Sequence, residues 1–343
     1  MANRCRFWQN CKLNNTTTLN TSTDSFTAGL TATEDASAKL KTTTAPAAAA
    51  CHPPPKIAEN VVRTAEKKAA TKNTSLLLLA FLAGVYIALG AVLFSVVTND
   101  LAAHIGDGMS RLVGGMTFSL GLVIVVLGGA ELFTCNNLIM TMGFLQKRIN
   151  YRQVLYNWTW VYLFNVIGAI LIAVFFLFSG IWKANDGAIA LRAVDIAYTK
   201  VSLPWSEALF RGILCNWMVC LAVWLSLAGK DAISKIVGIV LPITASTAIG
   251  FEHSIANTYF VSMGIFLKAQ TGLQEILTPL AIEGLTWRSF FTNNLIPVTI
   301  GNIIGGAIFV AVIYWQIYLR STLQNTAGKP AAGSARSEQK LPS

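Results

Sequence analysis

Two apolar stretches of this chain, roughly 112–144 and 236–267, each run past thirty residues and are interrupted near the middle by polar side chains. A bilayer core is crossed by about 20 apolar residues in helical form, so both are too long for one simple span. Their interruptions are Gly128-Gly129-Ala130-Glu131-Leu132-Phe133-Thr134-Cys135-Asn136-Asn137 and Gly250-Phe251-Glu252-His253-Ser254-Ile255-Ala256-Asn257. Glycine alone would kink a helix, but here each break also brings a carboxylate and an amide. Both stretches therefore read as broken helices, whose unwound backbone is tolerated at membrane depth only where protein or a water-lined cavity satisfies it.

Four more apolar blocks, at roughly 75–97, 154–180, 208–228 and 295–319, complete a set of six. Only 12% of the residues are charged, about half the share of a soluble domain. The net charge of +10 does not form a basic stripe interleaved with aromatics, which argues against nucleic acid. It collects beside the spans instead: Lys56, Arg63, Lys67, Lys68 and Lys72 before the first, Lys147, Arg148 and Arg152 after the second, Lys230 and Lys235 after the fourth, and Arg320, Lys329, Arg336 and Lys340 at the end. Every second link is basic, which places both termini in the cytoplasm and agrees with an even span count.

This reading divides the chain into a leader at 1–55, a basic cytoplasmic segment at 56–74, a six-span domain at 75–320 and a flexible cytoplasmic tail at 321–343. The leader is rich in Thr, Ser, Asn and Ala and has too few apolar residues to bury a core. It reads either as a cytoplasmic tail or as an organelle transit peptide, with Asp24, Glu34 and Asp35 counting against the latter. The membrane is accordingly the inner cell membrane, or a chloroplast envelope in the transit-peptide case. Six cysteines show neither a CxxC nor a metal-ligand spacing, and no metal or cofactor is expected.

The two breaks share a pattern, Gly129-x-Glu131-x4-Asn136 against Gly250-x-Glu252-x4-Asn257. A second pair follows, Asn157-x7-Asn165-x2-Gly168 against Asn294-x7-Asn302-x2-Gly305. Spans one to three therefore repeat as spans four to six. Because each half crosses the membrane an odd number of times, the second is inverted relative to the first. In such folds the discontinuous helices meet near the midplane and their ends line the substrate path.

Within this frame a few residues carry chemistry. His253 is the one histidine inside an apolar block; His52 and His104 lie outside. A single histidine is usually a satisfied core residue, but an ionisable group at membrane depth beside a break generally faces a pathway. Imidazole can donate to an anion and then give up a proton. Glu131 and Glu252 read as repeat-related supports that accept from N–H groups of the interrupted backbone, in the manner of N-caps. Asn216 reads equally as a helix–helix hydrogen bond or as a donor lining a mouth. Lys200, in an external link, is a solvated loop charge or, at a pore mouth, a concentrator of anions. Asn165 and Asn302 read as interface residues at close helix approaches. Phe118, Leu122, Phe133 and Val219 are apolar side chains on or beside the broken spans, and some such residues must form a dewetting constriction.

The stretches Gly129-Ala130-Glu131-Leu132-Phe133-Thr134, Leu214-Cys215-Asn216-Trp217-Met218-Val219-Cys220-Leu221-Ala222-Val223-Trp224, Gly250-Phe251-Glu252-His253-Ser254-Ile255-Ala256-Asn257 and Asn294-Leu295-Ile296-Pro297-Val298-Thr299-Ile300-Gly301-Asn302 resemble the formate/nitrite transporter family, and the likeness runs from about residue 60 to Arg320. The resemblance implies an all-α integral membrane fold with an aquaporin-like protomer in a homopentamer, each protomer with its own anion path. It implies cargo of the formate, nitrite, hydrosulfide or lactate kind. By the same carry-over His253 is the central lumen residue with Thr134 opposite it, Lys200 and Asn216 line the outer vestibule, and Glu252 and Asn257 hold the histidine region. Glu131 and Asn136 are their repeat-mates. Phe118, Leu122, Phe133 and Val219 form the constrictions. Ser246 stands where some relatives place a bulky aromatic, a departure that bears on the width of the outer gate.

Together these readings describe transport of small monovalent weak-acid anions, with a proton moving alongside as one option. The rival of the same class is a neutral-solute channel of aquaporin type, but neither Asn136-Asn137-Leu138 nor Asn257-Thr258-Tyr259 contains the proline of an Asn-Pro-Ala repeat. The rival of another class is a membrane enzyme using Glu252 and His253. The chain has no HExxH, GxSxG or P-loop, so no enzyme is expected.

Overall fold

A computed structural model describes residues 51–270 and 282–321, and the statements below concern those residues. The expectations for most of the leader and for the tail beyond Ser321 lie outside the described residues. Among the described residues six helices are long and apolar enough to cross a membrane. They are α2 (Asn73–Val97), α4 (Asp107–Leu127), α6 (Tyr151–Ser179), α8 (Trp205–Ala228), α9 (Ala232–Ile249) and α11 (Trp287–Tyr318). Four other helices accompany them: α1 (Pro54–Ala69), the short α3 (Leu101–Ile105), α5 (Phe133–Leu145) and α7 (Ala188–Val201), while α10 (Ser254–Lys268) continues the fifth span.

The chain breaks where the sequence placed the interruptions. Helix α4 stops at Leu127 and α5 starts at Phe133; α9 stops at Ile249 and α10 starts at Ser254. Gly129 has φ +71° and Gly250 φ +92°, left-handed conformations that cost a residue with a β-carbon about 1–2 kcal/mol. Each glycine thus ends one half-helix and lets the chain turn before the next begins.

Packing repeats between the halves. Helix α2 lies against α4 and α6 as α8 lies against α9 and α11, α1 packs on α5 as α7 packs on α10, and α4 and α9 pack on each other. A β-carbon at Gly168 would collide with the Phe81 carbonyl, and one at Gly305 with that of Ile213, so both glycines permit close backbone contact between the first and third helices of their halves. Two stretches of α11, Phe290–Leu295 and Ile304–Val312, are wound as π-helix. Pro297 follows the first, where its missing N–H leaves a carbonyl of the preceding turn unpaired and favours the wider winding.

Besides the short α3, two longer helices were not foreseen. The basic segment at 56–74 holds α1, whose Ile57, Ala58, Val61, Val62 and Ala65 are buried at the spacing of one helix face. The link between the third and fourth spans holds α7, with Ile189, Ala190, Ala193, Val194, Ile196, Ala197 and Val201 buried. Lys200 therefore sits in the last turn of a packed helix and not in a solvated loop.

Candidate functional site

The amide groups left over by the two breaks are satisfied by asparagines. Asn165 accepts from the Phe133 N–H at 2.9 Å and donates to the carbonyls of Glu131 at 2.9 Å and Ala80 at 2.6 Å. Asn302 accepts from the Ser254 N–H at 3.0 Å and donates to the carbonyls of Glu252 at 3.0 Å and Gly212 at 2.8 Å. This differs from the expectation that Glu131 and Glu252 would do the capping and that the two asparagines would only pack. A break orphans donors and acceptors together, and an amide side chain serves both whereas a carboxylate only accepts.

The carboxylates are held from the side. Glu252 takes Lys200 Nζ at 3.0 and 3.1 Å, Asn257 Nδ2 at 2.6 Å and Asn294 Nδ2 at 3.2 Å. Glu131 takes Lys68 Nζ at 2.7 Å and Asn136 Nδ2 at 2.8 Å. In each half the first asparagine also bonds the second: Asn136 to Asn157 and Asn257 to Asn294, both at 2.8 Å. Sequence reading treated Lys68 as a topology charge only. The signal available was its position, since Lys68 and Lys200 each stand just before the first span of their half.

His253 is the N-cap of α10. Its Nδ1 accepts from the Ala256 N–H at 3.1 Å, and its Nε2 lies 2.9 Å from Thr134 Oγ1. An Nδ1 that accepts carries no hydrogen, so the neutral ring bears its proton on Nε2 and donates toward Thr134. Thr134 belongs to the first turn of α5, so this contact joins the two breaks, 119 residues apart in sequence.

A cavity of about 320 Å³ runs from a charged rim of Asp107, Arg111, Arg192, Asp195 and Arg211 down to His253. Arg111 pairs with Asp107 at 2.9 Å and Arg192 with Asp195 at 3.1 Å. Lys200, Glu252 and Asn257 lie along its wall with Phe118, Val219, Cys215 and Ser246, and Lys200 Nζ sits 5.3 Å from the Phe260 ring centroid. Ser246 contacts Cys215 Sγ at 3.6 Å, so no bulky ring stands at that point of the wall. At this volume the cavity holds many waters, and an anion can remain hydrated as far as the histidine.

Other expected site residues lie elsewhere. Asn216 is fully buried; its Nδ2 donates to the Asn302 carbonyl at 2.6 Å and it is not part of the cavity wall. Of its two readings, this contact matches the helix–helix one. Phe133 packs edge-on against Tyr162, with centroids 4.9 Å apart, and against Trp158 at 6.2 Å, in a cluster with Leu76, Ala80 and Val161. It is not part of the cavity wall. Leu122 is buried one turn beyond Phe118 on α4, outside the cavity wall.

Paired carboxylates and asparagines thus stand in both halves, with a histidine where the breaks meet. The family model described as Formate/nitrite transporter matches residues 55–316. The chain belongs to the formate/nitrite transporter family. This family member is 44% identical over 270 residues to a "Probable formate transporter" of Methanothermobacter thermautotrophicus, covering 75% of this chain and 93% of the relative. It is 42% identical over 247 residues to "Formate channel FocA" of Escherichia coli (strain K12), covering 71% and 86%. Among solved structures it resembles one titled "Pentameric formate channel with formate bound", with a TM-score of 0.65 and 35% identity over 72% of this chain and 98% of that one.

Proposed function

We propose that this family member conducts formate, with nitrite as the second cargo, through a path in each protomer of a homopentamer. The observation that carries the reading is the cavity that descends from the arginine rim to His253, where the Nε2 donor meets Thr134 of the opposite break. The anion enters hydrated past Lys200. At His253 the path narrows, and Leu122 with Phe118 and Val219 supplies the apolar constriction. A bare anion pays a large desolvation cost at such a point, and the neutral acid far less. Donation from Nε2, or a proton delivered by water in the cavity, lowers the barrier. Proton co-movement follows if the proton leaves with the cargo, and the net process is passage with no covalent turnover.

Labelled formate and nitrite uptake into liposomes, run in competition, tests the cargo; absence of uptake for both defeats the reading. Internal pH recorded during uptake decides proton movement. Crosslinking in the membrane reports the pentamer. For topology, a reporter after Arg320 should be cytoplasmic and one near Asp186 outside, and N-terminal sequencing of the mature chain shows whether the leader is removed.

A further inference from the structure

A second cavity, of about 330 Å³, shares no wall residue with the first. It sits where α2 and α6 begin, so at one boundary of the spans, on the side of the basic links. Its wall includes Lys68, Asn150, Arg152, Gln153, Tyr156 and Asn157 and contains no acidic side chain.

The hydrogen-bond inventory there is lopsided. Asn150 and Gln153 form a capping box in which the side-chain oxygen of each accepts a backbone N–H, at 3.0 and 2.9 Å. Each oxygen is thereby engaged, and each side chain still has an NH₂ group to donate. Asn157, 2% exposed, has its Oδ1 occupied by Asn136, while its Nδ2 is buried without a partner among the described residues. Lys68 gives one bond to Glu131 out of three available donors. The exposed Arg152 has no acidic partner among the described residues; its Nε reaches only the Tyr151 hydroxyl at 3.2 Å. The N-terminus of the 29-residue α6 adds its dipole.

Five kinds of donor and no acidic side chain in the wall call for a ligand rich in lone pairs and negative charge. We propose that this cavity is a phosphoryl-oxyanion site, filled in the membrane by the head group of an anionic phospholipid or, from solution, by inorganic phosphate. The depth suits a lipid phosphate, because Tyr156 at its wall and the neighbouring Leu155 and Trp160 are exposed at 41%, 56% and 39% and form an interfacial apolar surface beside it. Basic pockets between spans on the cytoplasmic side bind such head groups.

The test uses the delipidated full chain in two arms. In one, native mass spectrometry reads retention of phosphatidylglycerol against phosphatidylcholine; in the other, inorganic phosphate is titrated at constant ionic strength. Arg152→Gln should weaken the binding seen by about tenfold, the effect of one charge-assisted hydrogen bond. Lys147→Gln, which removes the same charge from the same link outside the cavity, should leave it unchanged. The arm that shows binding identifies the source. No binding in either arm overturns the proposal, and so does an equal loss in the two variants, which would mean diffuse attraction to a basic surface.

Discussion

The Lys200–Glu252 pair offers the sharpest test of how the site is held. Lys200 meets both carboxylate oxygens of a glutamate whose side chain is 6% exposed. Lys200→Met leaves that carboxylate buried with only the amides of Asn257 and Asn294 as donors. Removing one partner of a buried pair costs about 3–5 kcal/mol. Because two donors remain and the pair borders a cavity wide enough for water, the low end applies, about 3 kcal/mol, or a Tm lower by roughly 6–12 °C. Flux falls as well. An anion passing about 6 Å from an unpaired carboxylate meets about 3 kcal/mol of repulsion at an effective dielectric of about 20, on the order of a hundredfold in rate. Adding Glu252→Gln to Lys200→Met removes the stranded charge, and the double variant should regain about 2 kcal/mol of the stability and most of the flux. The assays are thermal unfolding of purified protein and formate uptake into liposomes. If the single and double variants behave alike in both, the carboxylate is not what Lys200 neutralises and the reasoning fails.

Replacing Asn302 with Leu strands the Ser254 N–H and two carbonyls at about 1–3 kcal/mol for each buried group, so loss of folded protein by size exclusion is expected, and Asn165→Leu should match it. His253→Asn keeps an acceptor suited to an N-cap and a donor, whereas His253→Phe has neither. Both should assemble, with formate uptake nearly closed in the Phe variant and retained, without the wild-type response to pH, in the Asn variant; an unaltered pH response in the Asn variant would remove His253 from proton handling. At the start of α9 the Ser234 hydroxyl and amide hold the Asp231 carboxyl below its ordinary pKa. Its stabilising effect is present above the unfolded-state value of about 3.9 and is lost as pH falls through the lower folded value, so the Tm difference between wild type and Asp231→Ala should vanish in acid.

Much of this architecture can be read from residue pattern because hydropathy and the glycine-carboxylate-amide breaks act over long stretches. The spans begin and end within a few residues of their apolar blocks, apart from α11, which starts at Trp287, ahead of the block at roughly 295–319. Helices α1 and α7 escaped notice because their apolar faces are diluted by Lys, Arg and polar residues on the other side, which lowers the average without removing the periodicity. The role of Asn165 and Asn302 was hidden for another reason. Their spacing to Gly168 and Gly305 signals close packing, and packing they do provide, but which backbone group lies opposite a side chain depends on a partner helix 85 or 90 residues away. Asn216 illustrates the same limit: a polar residue in an apolar span has few permitted surroundings, and the pattern does not say which of them the fold supplies.

The match between the two Lys–Glu–Asn–Asn clusters has one exception at the centre. His253 caps α10, and its counterpart at the start of α5 is Leu132, which has no capping bond. Under the inverted-repeat reading of the sequence, the two clusters present the same charges toward opposite compartments. Any rectification must therefore arise at the rims or at the point where imidazole faces one way and leucine the other.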